Sequence, residues 1–202
     1  KQKTAYEIPK RDWSSDVCSS DLFRRSTLRH RAGVNASPDV VLFADTFTNH
    51  YDPDIGVAAL DLLKAAGLKA GLVPHGCCGR PQISKGLLAD ATRLAEANVE
   101  ALHSLAAAGK PIVFCEPSCL SAVREDAPSL LRGERLARAE TIARQAVLLE
   151  EYLAGVVNRL PLKRGPSQIL FHGHCHQKSM GLAAPALALR SEEHTSELQS
   201  RF

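Results

Sequence analysis

The chain has 202 residues, 45% of them hydrophobic and only 5% aromatic, with a formal net charge of +3. That length allows one domain with a real core or a large domain with tails; the scarcity of aromatics disfavours a base-stacking nucleic-acid surface, and no apolar run reaches the roughly eighteen residues of a membrane span. Six cysteines, unevenly spaced and two of them adjacent, do not look like a small secreted disulfide framework, so thiolate ligands in a reducing cytoplasm are the better reading.

At the N-terminus no apolar leader segment is visible. Residues 12–22 (DWSSDVCSSDL) and 190–200 (RSEEHTSELQS) are polar, Ser-rich and unlike their neighbours. One DNA stretch resembling a sequencing adaptor encodes the second, and its reverse complement, read one frame over, encodes the first. Both are expected to be foreign to the natural protein, with residues 1–10 under the same suspicion. Cys18, Trp13 and His194 then carry no function, and the genuine part is expected to be Phe23–Leu189, cut at both ends. Its opening stretch, 23–38, holds Arg24, Arg25, Arg29 and Arg31 and reads as a solvated basic linker.

Asp39–Phe43 contains the apolar run VVLF, suited to a buried strand. Asp52-Pro53-Asp54 offers an N-cap and an early-turn proline, after which Ile55, Ala58, Ala59, Leu62, Leu63 and Ala66 recur at helical spacing up to Gly67. Lys69–Val73 reads as a second strand, Leu87–Ala108 as a long helix closed by Gly109, and Pro111–Phe114 as a third strand. Ser118–Asp126 is a short helix, and Glu134–Val157 a long one whose apolar residues include Leu136, Ala139, Ala143, Val147 and Leu148. Gln168–Phe171 carries a fourth strand, ILF. This alternation predicts an α/β fold, a Rossmann-like parallel sheet flanked by helices.

The chemistry-bearing residues follow the strands. Pro74-His75-Gly76-Cys77-Cys78-Gly79-Arg80-Pro81 follows the second, Cys115-Glu116-Pro117-Ser118-Cys119 the third, and His172-Gly173-His174-Cys175-His176-Gln177 the fourth. In an open parallel sheet these loops gather at the carboxyl ends of the strands, where ligands bind. Soft thiolates there suit an iron–sulfur cluster or zinc. Gly76 and Gly79 let the backbone turn around the cysteine pair. Cys115, at a strand end, equally reads as a small apolar core residue. His172, His174 and His176 alternate, which either builds a zinc site or marks a turn held by one histidine. Glu116 before Pro117 reads as a cap or hydrogen-bond anchor as well as a ligand position.

The stretches VVLFADTFTNHYDPDIG, GCCGRP, EPSC and HGHCHQK resemble the Cys-rich CCG-domain family. That family includes a subunit of heterodisulfide reductase and the iron–sulfur parts of glycolate oxidase, anaerobic glycerol-3-phosphate dehydrogenase and lactate-utilisation proteins. The stretches most resemble the version fused behind a flavin-binding domain in FAD-linked D-lactate or glycolate dehydrogenase-like proteins. The resemblance implies a first repeat at 39–160 and the start of a second at 161–189, with artefact tails at 1–22 and 190–202. It implies Cys77, Cys78, Cys119 and Cys175 as cofactor-binding and metal ligands, with Cys115, His174 and His176 as further candidates. The family's first cysteine falls at Thr46, and the first cysteine of its Cys-x-x-Cys at Glu116, so the ligand set is incomplete.

The function implied is an iron–sulfur electron-transfer module of a flavin-linked 2-hydroxy-acid dehydrogenase, an oxidoreductase fragment with no catalytic residue of its own. FAD is expected in a part of the protein beyond this chain, because Gly76-Cys77-Cys78-Gly79 does not fit a dinucleotide fingerprint. The expected partners are a flavin-binding domain or subunit and an electron acceptor such as a quinone, with no nucleic acid. The expected location is the cytoplasm, with peripheral contact on the inner face of the membrane. The rival is a non-redox zinc-binding or interaction module. A third reading makes Cys119, at a helix N-terminus near histidines, a nucleophile.

Overall fold

The structure is a computed structural model and describes residues 26–35, 37–160 and 170–193. Four short strands form one sheet: β1 (Val40–Leu42), β2 (Ala70–Gly71), β3 (Ile112–Phe114) and β4 (Ala146–Leu148). The order is β2-β1-β3-β4 and every pairing is parallel. Val41 sits opposite both Gly71 and Ile112, and Val113 opposite Val147. Helices cover both faces, which is the α/β architecture expected from the alternation of elements.

Side chains alternate across the pleat, so each strand feeds two cores. Val41, Phe43, Ile112 and Phe114 pack on one face against the long helix α4 (Leu88–Ala107), through Ala95, Val99 and Leu102. Ile142 of α7 (Gly133–Gln145) closes the same layer. Val40, Leu42 and Val113 turn to the other face and meet Leu60 and Leu63 of α2 (Pro53–Ala65) and Leu153 of α8 (Leu149–Ala154). The chain runs from β1 outward to β2, then crosses back to β3 on the other side of β1. The strand order therefore reverses between β1 and β3, and the carboxyl ends of those two strands flank the crevice where ligands bind in open sheets.

Two expectations are corrected. The fourth strand is Ala146–Leu148, inside the stretch that reads as one helix from Glu134 to Val157. A parallel strand covered on both faces is a continuous apolar run, and Ala-Val-Leu-Leu fits that as well as it fits a helix face. Ala146 and Leu148 are buried, and Arg124 holds the strand by donating from Nε to the Ala146 carbonyl at 3.0 Å and pairing with Glu151 at 3.0 Å. Of the expected strand Gln168–Phe171, residues 168 and 169 lie outside the described residues, while Leu170 and Phe171 belong to no strand and Leu170 is exposed. Asp52 precedes α2 but makes no side-chain cap bond; Pro53 opens that helix as expected.

Residues 23–38 include a short helix, α1 (Leu28–Ala32), capped by the Thr27 hydroxyl. Leu28 is fully buried and lies so close to Gly56 that no side chain fits between them. Arg29 is part of the fold: its backbone N–H donates to Asn49 Oδ1 at 3.1 Å and its Nη2 to the His75 carbonyl at 3.0 Å. Residues 1–25 and 194–202 lie outside the described residues, and with them most of the two foreign-looking stretches; the backbone of the last helix, α10 (Ala183–Glu193), enters the second of them.

Candidate thiol site

Cys77 and Cys78 lie between β2 and the short helix α3 (Arg80–Ser84). Gly79 precedes that helix at φ 87, a left-handed conformation that costs a residue with a Cβ energy. The turn aims consecutive backbone N–H groups at sulfur: Gly79 donates to Cys77 and Arg80 to Cys78. Asn98 of α4 fastens the same turn from below, accepting from Gly76 N at 2.9 Å and donating to the Cys77 carbonyl at 2.8 Å.

Cys119 belongs to α5 (Pro117–Ser121), which Glu116 caps by accepting from Ser118 N at 3.0 Å and Ser118 Oγ at 2.6 Å. Arg80 ties this helix to the cysteine turn. Its Nε donates to the Ser118 carbonyl at 3.2 Å, its Nη2 to Ser121 Oγ at 2.7 Å, and it pairs with Asp126. The two elements thereby bring three thiols into a chain. Cys77 hydrogen-bonds the Cys78 sulfur, and Cys78 donates to Cys119 Sγ at 3.0 Å. The Thr46 hydroxyl also hydrogen-bonds Cys77. Thr46 thus stands beside the sulfurs, at the position where the sequence resemblance leads one to expect a cysteine.

Donating to neighbouring sulfurs holds these thiols in the protonated form. The Cys77 thiol is pushed up by its bond to Cys78 and by burial, and that of Cys78 up to about 12, first by its bond to Cys119. A metal cation reverses this preference by replacing the protons. The donor chemistry fits a thiophilic centre, three soft sulfurs with two N–H groups pointed at them. Their number does not complete a cubane, which takes four thiolates. Among the described residues no three His, Cys, Asp or Glu side chains already stand as a metal-ligand group.

The other candidates divide. Cys115 follows Phe114 and faces the opposite layer, packed with the α2-side core; burial first, then Asp45, raises its thiol to about 12. Alternation along β3 separates it from Cys119. Cys175 opens a short helix, α9 (Cys175–Ser179), that packs against α5, and its side chain is exposed. His174 caps α9 through Nδ1, with its Nε2 3.7 Å from Glu116 Oε1 and its ring centroid 5.5 Å from that of His176. His176 is held below its usual range by desolvation and by Arg80. His172 belongs to irregular chain, so the three histidines do not share one extended face.

His75 is a structural residue of the site. Its ring stacks on Phe43 at 3.8 Å, its Nε2 accepts from Ala44 N at 3.0 Å, and its Nδ1 meets the Gly76 carbonyl at 2.7 Å. These partners fix the neutral Nδ1–H tautomer. Burial, aided by Arg29, pushes His75 down to about 4 from 6.5. Between those values the unfolded chain binds a proton that the folded chain refuses, so stability falls as pH drops from 6.5 to 4. The metal-free protein should lose about 3 kcal/mol across that window through this group. Urea unfolding at pH 7 and pH 4 checks it: His75→Asn should flatten the dependence, and an equal slope in both proteins would contradict the assignment.

Comparison with known proteins gives the site a context. The chain resembles proteins of biological oxidation and reduction. It is 28% identical over 152 residues to a subunit of the anaerobic glycerol-3-phosphate dehydrogenase of Escherichia coli (strain K12), covering 74% of this chain and 38% of that protein. It is 27% identical over 164 residues to D-2-hydroxyglutarate dehydrogenase of the same organism, covering 79% of this chain and 16% of the relative. It is 26% identical over 158 residues to lactate utilization protein A of an Exiguobacterium species, 75% of this chain and 63% of that protein. The chain thus spans only part of the length of these relatives. No family model matches, and no solved structure does.

Sequence reasoning passed over Asn98, Arg80, His75 and Arg29 as builders of the site. Asn98 did carry a signal: a polar residue within the apolar stripe of Ala91, Ala95, Val99, Leu102 and Ala106. Arg80 lay within GCCGRP, but its partners Ser118, Ser121 and Asp126 are about forty residues away.

Proposed function

We propose that this chain is part of an iron–sulfur electron-transfer module serving a flavin-linked 2-hydroxy-acid dehydrogenase. The observation that carries the reading is the convergence of Cys77, Cys78 and Cys119 at the strand ends. The likeness to dehydrogenase proteins over about three quarters of the chain supports it. Cys77, Cys78 and Cys119 would hold the centre, and Cys175, on the helix packed against α5, would be the fourth thiolate. A cluster there would supply single-electron transfer between a flavin in another domain or subunit and an acceptor such as a quinone. The chain's own residues position and insulate: Asn98 and Arg80 lock the sulfurs in place, the two N–H groups favour thiolates, and Phe43 and Phe114 keep water from the floor.

Thr46 and Glu116 give oxygen where sulfur is expected, which favours a second reading, a zinc-binding module without redox chemistry. Among the described residues no helix is long and apolar enough to cross a membrane. The contact proposed with a membrane acceptor is peripheral. The test uses the uninterrupted gene product, purified without oxygen. Adding D-lactate, glycolate or D-2-hydroxyglutarate should bleach first a flavin and then a sulfur-to-iron absorption band. A protein that holds zinc and shows no bleaching would establish the second reading instead.

A further inference from the structure

We propose that Arg29 is the counter-charge of the metal–thiolate centre, a fixed positive charge that strengthens metal retention and raises the potential of the bound centre. The inference rests on the metal-holding reading of Cys77, Cys78 and Cys119 and deepens it. Arg29 Nη2 donates to the His75 carbonyl at 3.0 Å, and His75 leads directly into Gly76 and Cys77. Links of fixed covalent length then hold that nitrogen within roughly 10 Å of the Cys77 Cα. The Arg29 backbone N–H, donating to Asn49 Oδ1 at 3.1 Å, anchors α1 to the same edge of the sheet.

The charge has no acid beside it. Arg29 Nε is buried and has no hydrogen-bond partner among the described residues. Burial lowers the Arg29 pKa, and no acidic group there acts to raise it again. Arg80, Arg124, Arg135 and Arg138 each pair with a carboxylate. Arg132, Arg144 and Arg159 show no such pair among the described residues, but they are exposed and water solvates them. Arg29 is half-buried, where an unpaired charge is costly. Metal binding supplies the missing negative charge. Each sulfur that binds gives up its proton to water. A divalent cation on three thiolates leaves one net negative charge where three thiols were neutral, and a fourth thiolate makes it two. A nearby guanidinium, always protonated, favours that change. It also eases the addition of an electron to a negative iron–sulfur centre, whose potential depends on net charge.

The test compares Arg29→Gln, Arg29→Met and Arg29→Lys in the full 202-residue chain by cobalt(II) competition with a chelator. The two neutral variants should bind cobalt about 10-fold more weakly, the low end for outer-sphere partners. Lysine restores the charge without the guanidinium fork and should restore binding. Arg31→Gln, on the same helix but already paired with Asp54, should bind as the wild type does. In the iron-loaded, uninterrupted gene product, the midpoint potential should fall in Arg29→Gln and stay in Arg29→Lys. A merely structural arginine would lower metal content and leave the potential of the remaining centre unmoved. Equal loss in Arg29→Lys and Arg29→Gln, or loss of the fold in both neutral variants, would overturn the inference. Wild-type cobalt affinity in Arg29→Gln would sink this inference alone. A wild-type protein that binds neither iron nor cobalt would sink the metal-holding reading, and this inference with it.

Discussion

Serine in place of Cys78 or Cys119 should lower iron or zinc retention by at least about 100-fold, since removing a direct ligand should exceed the roughly 10–100-fold effect of outer-sphere partners. The change exchanges a soft sulfur for a hard hydroxyl and conserves shape. Cys77→Ser should act in the same direction, because its sulfur belongs to the same bonded chain. Cys115→Ser is the internal control: it faces the opposite core and should leave retention unchanged. Competition with a chelator, using cobalt(II) as a coloured probe, measures the effect. Equal loss from Cys115→Ser and Cys119→Ser would show that metal loading follows fold stability and not ligation.

Phe43→Ala should destabilise the protein by about 3–5 kcal/mol, the range for emptying a buried aromatic site. Phe43 is fully buried at the carboxyl end of β1, stacked between His75 at 3.8 Å and Phe114 at 4.6 Å. Its loss removes apolar contact and the ring on which the neutral His75 lies. A domain is stable by only about 5–15 kcal/mol, so a large part would go. Phe47, four residues on and 56% exposed, should change stability by less than about 0.5 kcal/mol when replaced by alanine. Urea unfolding of the two variants compares them directly; similar midpoints would contradict the placement of Phe43 in the core.

The contrast between those residues shows what the sequence made legible. VVLF, IVF and the Ala/Leu-rich stretch before Gly109 announced β1, β3 and α4, because burial imposes periodic patterns that survive in one dimension. The meeting of Cys78 with Cys119 was legible through topology: residues after parallel strands share an edge. Cys115 was ambiguous until Phe114 fixed the phase of the pleat. β4 was hidden because a fully buried strand loses the alternation that separates strand from helix. The Arg80 clamp and Arg29 beneath His75 were not legible at all, and the Asn98 bridge showed only as a polar residue in an apolar stripe. Each depends on a distant backbone or side-chain partner that sequence spacing does not encode.

On the reading proposed above, the thiols at the ends of β2 and β3 are part of a metal-holding redox site. Anaerobic reconstitution with iron and sulfide, on the uninterrupted gene product beside residues 23–189, tests it most directly through iron, sulfide and zinc content and visible absorption. A stable charge-transfer band is expected in the longer protein and a weaker, oxygen-sensitive one in the shorter, where three gathered thiols fall short of the four that hold a cubane. Zinc in place of iron, or neither metal, in the longer protein would contradict it.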